Sequence, residues 1–162
     1  MAETLSVTDM LPNRFEPKRQ HRWVLAIEGI DSFLLKTANR PTANTEEVMI
    51  PFINATRYLA GKTTFGTIDI TLFDPIAPSG AQQVTEWLRT VYESVSGRSG
   101  YADFYKRDIQ LKMLDPVGTV VELWDIKGAF PTTISYGSLD YGTGEPSEIS
   151  VTIRMDNCIL QF

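Results

Sequence analysis

The stretch from Glu46 to Pro75, EEVMIPFINATRYLAGKTTFGTIDITLFDP, constrains the fold more than any other part of the chain. Ile68, Ile70 and Leu72 alternate with Thr67, Asp69 and Thr71, the period of a strand with one buried face. Thr56 to Thr64 is extended in character as well, and Gly61 and Gly66 allow a bend or bulge. Strands this long must find pairing partners, and almost none of their side chains carries catalytic chemistry. The segment predicts assembly rather than catalysis.

At 162 residues the chain fits one domain. An apolar fraction of 43% with 22% charged residues is that of a globular protein. The polar residues 1–20, with Pro12 and Pro17, read as an N-terminal arm, and 21–162 as a single β domain. The formal charge of −5 is unevenly spread: residues 1–107 balance, whereas 108–162 hold eight acids against Lys112, Lys127 and Arg154. The only basic concentration, Arg14, Lys18, Arg19 and Arg22, is diluted by Glu16 and does not amount to a nucleic-acid grip. The single cysteine, Cys158, excludes an intramolecular disulfide and a multi-cysteine metal site, and its neighbours Ile159 and Leu160 mark it as buried. MAETLSVTDM lacks the pattern of a signal peptide, and no apolar run is long enough to span a bilayer. A soluble chain made in the cytoplasm is the expectation.

Along the chain, Trp23–Ile27 and Phe33–Lys36 flank a turn at Glu28–Ser32, so 22–37 reads as a hairpin. One helix is predicted over about 79–96. Ser79 caps it, and Val84, Trp87, Leu88, Val91, Tyr92 and Val95 line one face, with Gly97 and Gly100 ending it. Ile109–Met113 and Thr119–Ile126 form a second hairpin around Asp115-Pro116-Val117-Gly118. Gly128-Ala129-Phe130-Pro131 interrupts, 138–144 is a loop, and Ile149, Val151, Ile153 and Met155 mark a last strand. Strands, one helix, then strands predict a mainly β fold: an antiparallel sandwich or open barrel with one flanking helix.

No catalytic constellation can be assembled. His21 has no partner placed beside it, and no metalloprotease, nucleophile-elbow, Walker or dinucleotide motif occurs. Tyr141-Gly142-Thr143-Gly144 has no helix after it to hold a phosphate. Glu122 and Asp125 have opposite strand parity, against a two-carboxylate site. Trp23, Trp124, Tyr101 and Tyr105 could form a carbohydrate-stacking platform, but both tryptophans sit among apolar neighbours and read as core. No enzyme, cofactor or metal is expected.

A series of motifs then carries a likeness: Phe33-Leu34-Leu35-Lys36-Thr37-Ala38, Glu46–Phe52, Tyr58-Leu59-Ala60-Gly61-Lys62-Thr63-Thr64-Phe65-Gly66, the Ile68–Leu72 strand, a helix with Trp87, and Lys127–Thr132. In this order, from about residue 22 to the C-terminus, they resemble the tail tube proteins of contractile-tailed bacteriophages, which are similar in fold to type VI secretion and pyocin tube subunits. The resemblance implies six-subunit rings whose sheets join into a ring-wide barrel. The rings stack into a hollow tube inside a contractile sheath, together with baseplate and tail terminator proteins. Such a tube sits in the virion tail, is assembled in the host cytoplasm, and passes DNA without binding it specifically or inserting the subunit in a membrane. The alternatives are a type VI-like or extracellular contractile injection system subunit and a monomeric β-sandwich binding module.

Two regions are expected to carry assembly. Glu46–Lys62 is one, as a hairpin reaching a neighbour, with Phe52, Tyr58, Leu59 and Lys62 as contacts; the arm is the other, with Arg14, Phe15 and Arg19. An acidic lumen, from Glu122, Asp125, Asp140, Glu145 and Glu148, would repel DNA phosphates.

Overall fold

The computed structural model describes residues 6–162. Residues 1–5 of the expected arm lie outside the described residues. The rest of that arm holds one exposed helical turn, α1 (Val7–Met10), capped by Ser6 and Asp9.

The body is one antiparallel sheet of seven strands. In chain order these are β1 (Trp23–Ala26), β2 (Leu35–Ala38), then, after a separate hairpin of β3 (Ala43–Pro51) and β4 (Thr56–Phe65), β5 (Ile68–Phe73). Helix α2 (Gly80–Val91), a small ribbon of β6 (Tyr92–Glu93) with β7 (Arg98–Ser99), and the turn α3 (Ala102–Tyr105) follow. The chain closes with β8 (Arg107–Leu114), β9 (Val120–Ser135), β10 (Glu148–Arg154) and β11 (Asn157–Leu160).

The strand order is β1-β8-β9-β10-β5-β2, with β11 also on β9. The long strand β9 makes this possible. Its first half pairs with β8 on one side and β11 on the other, and its second half pairs with β10. Gly128 stands where the partners change, at φ +64°, in the left-handed region that only glycine enters cheaply. The expected interruption at 128–131 is therefore a bend inside a continuous strand.

The predicted hairpin over 22–37 does not form. β1 pairs β8 and β2 pairs β5, so the two segments lie at opposite ends of the strand path. Only a bridge between Ile27 and Ile30 and a 3-10 turn at Ser32–Leu34 connect them. The turn at Glu28–Gly29 forms, but longer-range pairing with two other strands outweighs the hairpin. Eight residues join the two edges, so the sheet must curl until they face each other across a groove lined by Trp23, Leu25, Leu35 and Lys36. The sheet stays open.

Alternation held where it was cleanest. Ile68, Ile70 and Leu72, Ile109 and Leu111, and Ile149, Val151 and Ile153 all point into one core, and Met113 is buried beyond it. Val84 and Trp87 of α2 seal it, and Trp23 and Trp124 pack against it rather than forming a platform. Ser79 Oγ accepts from Gln82 N, the expected cap. The helix ends earlier than predicted: Tyr92 is extended at φ −151°, and Tyr92 and Val95 lie in the exposed β6–β7 ribbon instead of on the buried face. Asp115 organises the β8–β9 turn by accepting from Val117 N (2.9 Å) and Thr119 N (2.7 Å).

Candidate assembly surface

β3 and β4 pair only with each other. The expected bulge is present: the register steps from Thr45↔Thr63 to Glu47↔Ala60, leaving an extra residue at Gly61–Lys62. A Cβ on Gly61 would meet Glu46 O and Val48 Cγ2 at 3.1 Å, so the glycine lets the strands stay close there. The hairpin turns through Phe52–Ala55, where Phe52 N donates to Ala55 O (2.7 Å). At its root Gly66 N donates to Thr42 O (2.8 Å), and β4 otherwise touches the body at β11.

Register sorts the hairpin's side chains by face, since opposed residues share a face and neighbours along a strand do not. Val48 opposes Leu59 on one face, and Met49 opposes Tyr58 on the other. All four are exposed, as are the tip residues Phe52 and Ile53, the latter fully. Tyr58 and Leu59 therefore point to opposite faces of one ribbon. A two-stranded hairpin with no sheet on either face is marginal in water, and one with apolar pairs on both faces has an uncovered surface on each side. Lys62 lies in the bulge, exposed.

In the arm, Phe15 is exposed and Arg14 adopts φ +57°, a rare turn for a non-glycine residue. Arg19 is exposed beside it. Val7, Met10 and Leu11 leave a second apolar surface uncovered.

Of the five acidic residues, Asp140, Glu145 and Glu148 line one open cleft, and Glu122 and Asp125 stand on β9. Glu122, on β9, is only 4% exposed; its Oε2 accepts from Lys18 Nζ and its Oε1 from the indole Nε1 of Trp124, and Arg40 Nη1 lies 3.6 Å from that same Oε1. Burial alone would raise this carboxyl; the hydrogen bonds from Lys18 and Trp124, with the charges of Lys18 and Arg40, outweigh it and hold the pKa below the usual carboxylate value. Asp125 sits 3.4 Å from Lys127 Nζ, which also pairs with Asp108 at 3.0 Å. Glu148 pairs with Lys36, whose ammonium lies 5.5 Å from the centre of the Phe73 ring. Asp140 and Glu145 share the exposed 136–147 loop and make no ion pair among the described residues. The ion-paired cluster at Glu122 was missed in the sequence; the one sign of it was a carboxylate inside the apolar run Val120-Val121-Glu122-Leu123-Trp124.

Cys158 is buried, and burial first and Asp125 second push its thiol up to about 11. It is an inert core residue. Among the described residues no helix is long and apolar enough to cross a membrane.

No family model matches the chain. A tail tube protein of Serratia phage KSP90 is 28% identical over 136 residues, 76% of each chain. Among solved structures, a chain in the cryo-EM structure of the anti-feeding prophage cap superposes with a TM-score of 0.75 at 17% identity, covering 97% of this chain and 99% of that one. A chain in the extended sheath–tube complex of an extracellular contractile injection system gives 0.67 at 15% identity, over 98% and 99%. Hcp1 from Flavobacterium johnsoniae gives 0.51 at 12% identity, over 86% and 94%. In sequence the chain is similar to a phage tail tube protein, and its fold is that of chains in contractile injection particles.

Proposed function

We propose that the chain is the structural subunit of a hollow tail tube in a contractile, phage-type tail. Six copies close into a ring, rings stack, and the tube passes DNA within a sheath. The single observation that carries this reading is the sequence relationship to a phage tail tube protein over three quarters of both chains. The hairpin supplies a physical means: a ribbon with apolar residues on both faces is stabilised when neighbouring subunits cover it. The facing edges β1 and β2, left open in the subunit, give strands that neighbours can pair, and closing edges into a ring removes an aggregation liability. An identical contact repeated by rotation closes such a ring.

In this reading residues 1–20 are an arm and 21–162 one tube-type domain. Phe52, Tyr58, Leu59 and Lys62 of the hairpin, with Arg14, Phe15 and Arg19 of the arm, make contacts within and between rings. Sheath, baseplate and tail terminator proteins are the partners, and the assembled tube belongs to the virion tail. Asp140 and Glu145, exposed without counter-ions, are the strongest lumen residues of the five acids; Asp125 and Glu148 add charge less effectively because each has a lysine beside it. Glu122 adds least, enclosed with two cations.

Negative-stain microscopy of the purified chain tests the proposal. Hollow rings or tubes are expected; a chain that stays at about 18 kDa by sedimentation at high concentration overturns it, and favours a solitary binding module.

A further inference from the structure

We infer that Glu122 is a clip that joins the N-terminal arm to the root of the β3–β4 hairpin, so that order in either segment depends on the other. Lys18 reaches this carboxylate from the arm, 104 residues away in sequence. Arg40 reaches its second oxygen from the short link between β2 and β3. The Trp124 indole on the same strand donates to it, so the side chain is held from a third direction.

Each segment depends on the clip because it has little else. Among the described residues, the side chains of 6–17 make polar contacts only within α1's cap. Glu16 to Arg19 lie along a shallow cleft with Leu114, Pro116 and Val121, and Lys18 provides the ion pair that fixes them there. The hairpin, in turn, is held at its root by the link that carries Arg40, and its main contact with the body is β4 against β11. Lys18 and Gln20 on one side and Lys36 to Arg40 on the other wall a single groove over Trp23, Leu111 and Met113.

The charge count produces the coupling. A nearly enclosed carboxylate needs a cation, and either Lys18 or Arg40 suffices to keep it ionised in place. Both cations are about half exposed and lose little when they return to water. Removing one therefore leaves the other holding more of the load, whereas removing both strands a buried negative charge. The coupling is a property of the single subunit and holds whether or not it forms tubes. Its consequence rests on the tube reading: a neighbour that captures the arm also sets the hairpin root.

A mutant cycle with Lys18→Met, Arg40→Met and the double variant tests the inference on the full-length chain, with sedimentation confirming a common assembly state. The double variant is expected to lose several degrees of Tm beyond the sum of the single losses. Hydrogen exchange adds a second readout. Lys18→Met should slow exchange in the 39–42 link, and Arg40→Met in residues 14–20, by severalfold each, because the remaining cation then holds the carboxylate alone. Glu122→Gln, which keeps the shape without the charge, should speed both. An additive cycle overturns the clip, as does exchange that changes only in the segment carrying the substitution.

Discussion

Glu122 is the residue whose surroundings differ most from what its neighbours in sequence imply. Its carboxyl titrates lower in the folded chain than in the unfolded one, so it contributes stability above the usual carboxylate range and loses it as pH falls through the depressed value. The groups facing it are Lys18, Arg40 and the Trp124 indole. Thermal melts from pH 6 down to pH 3 should show the parent losing roughly 1–3 kcal/mol more than Glu122→Gln, the figure kept low because both cations are half exposed. Parallel curves for the two proteins would refute this. Gly128 makes a sharper case. A Cβ there would stand 2.2 Å from Asp156 Oδ2, on a backbone already at φ +64°. Asp156 also pairs with Lys106 at 2.6 Å, so its carboxylate is not free to swing away without loss. Gly128→Ala should cost about 1–3 kcal/mol in chemical denaturation, from strain plus the displaced carboxylate. A change within about 0.5 kcal/mol would mean that β9 bends without the glycine's help.

At the scale of elements, the β3–β4 hairpin and the sheet obey different rules. Ile68, Ile70 and Leu72 are buried because β5 has strands on both sides and a core beneath. Tyr58 and Leu59 have a strand on one side and water on both faces. Substituting them should leave the subunit's stability within about 0.5 kcal/mol of the parent, as for other surface positions. Assembly should respond quite differently. Because the two residues face opposite ways, Tyr58→Asp and Leu59→Asp probe separate contacts; each is expected to abolish tube growth seen by microscopy while melts stay unchanged. Normal tubes from both would remove the hairpin from the interface. Normal tubes from only one would show which face a neighbour covers. Helix α2 is the contrasting element: Trp87 is fully buried, donates Nε1–H to Tyr105 O (2.9 Å) and carries the Arg107 guanidinium over its ring at 5.0 Å. That buried face belongs to folding.

For the whole molecule, the net charge of −5 matters through its placement. Three of the eight acids in the last third are met by lysines or arginines from elsewhere in the fold: Lys18 and Arg40 at Glu122, Lys36 at Glu148, Lys106 at Asp156. Lys127 meets Asp108 and Asp125, and among the described residues Asp115 of the β8–β9 turn and Asp140 and Glu145 of the 136–147 loop make no ion pair. A cryo-EM map of assembled tubes should place Asp140 and Glu145 on the inner wall, where negative charge repels DNA phosphates. A neutral or basic bore would end the idea that the acidic excess lubricates passage.

Much of this molecule was readable from residue order alone. Period-two alternation marked β5, β8 and β10, because a side chain's face in a strand is set locally by backbone geometry. Ser79 announced its helix, and Asp115 with Gly118 announced their turn, for the same local reason. The exposed hairpin was legible too, as long extended segments lacking chemistry, and the ordered motifs from Phe33 to Thr132 matched the tube likeness. The failures share one cause. Whether β1 pairs with β2 or with β8, whether Tyr92 continues a helix, and whether Glu122 meets Lys18 and Arg40 all depend on groups distant in sequence, and local pattern carries no information about them. Residue order determined which stretches are strands and which faces are apolar. Only the tertiary structure decided which edges pair, which stay open, and which charges are neutralised, because those outcomes are set by competition among partners brought together by folding.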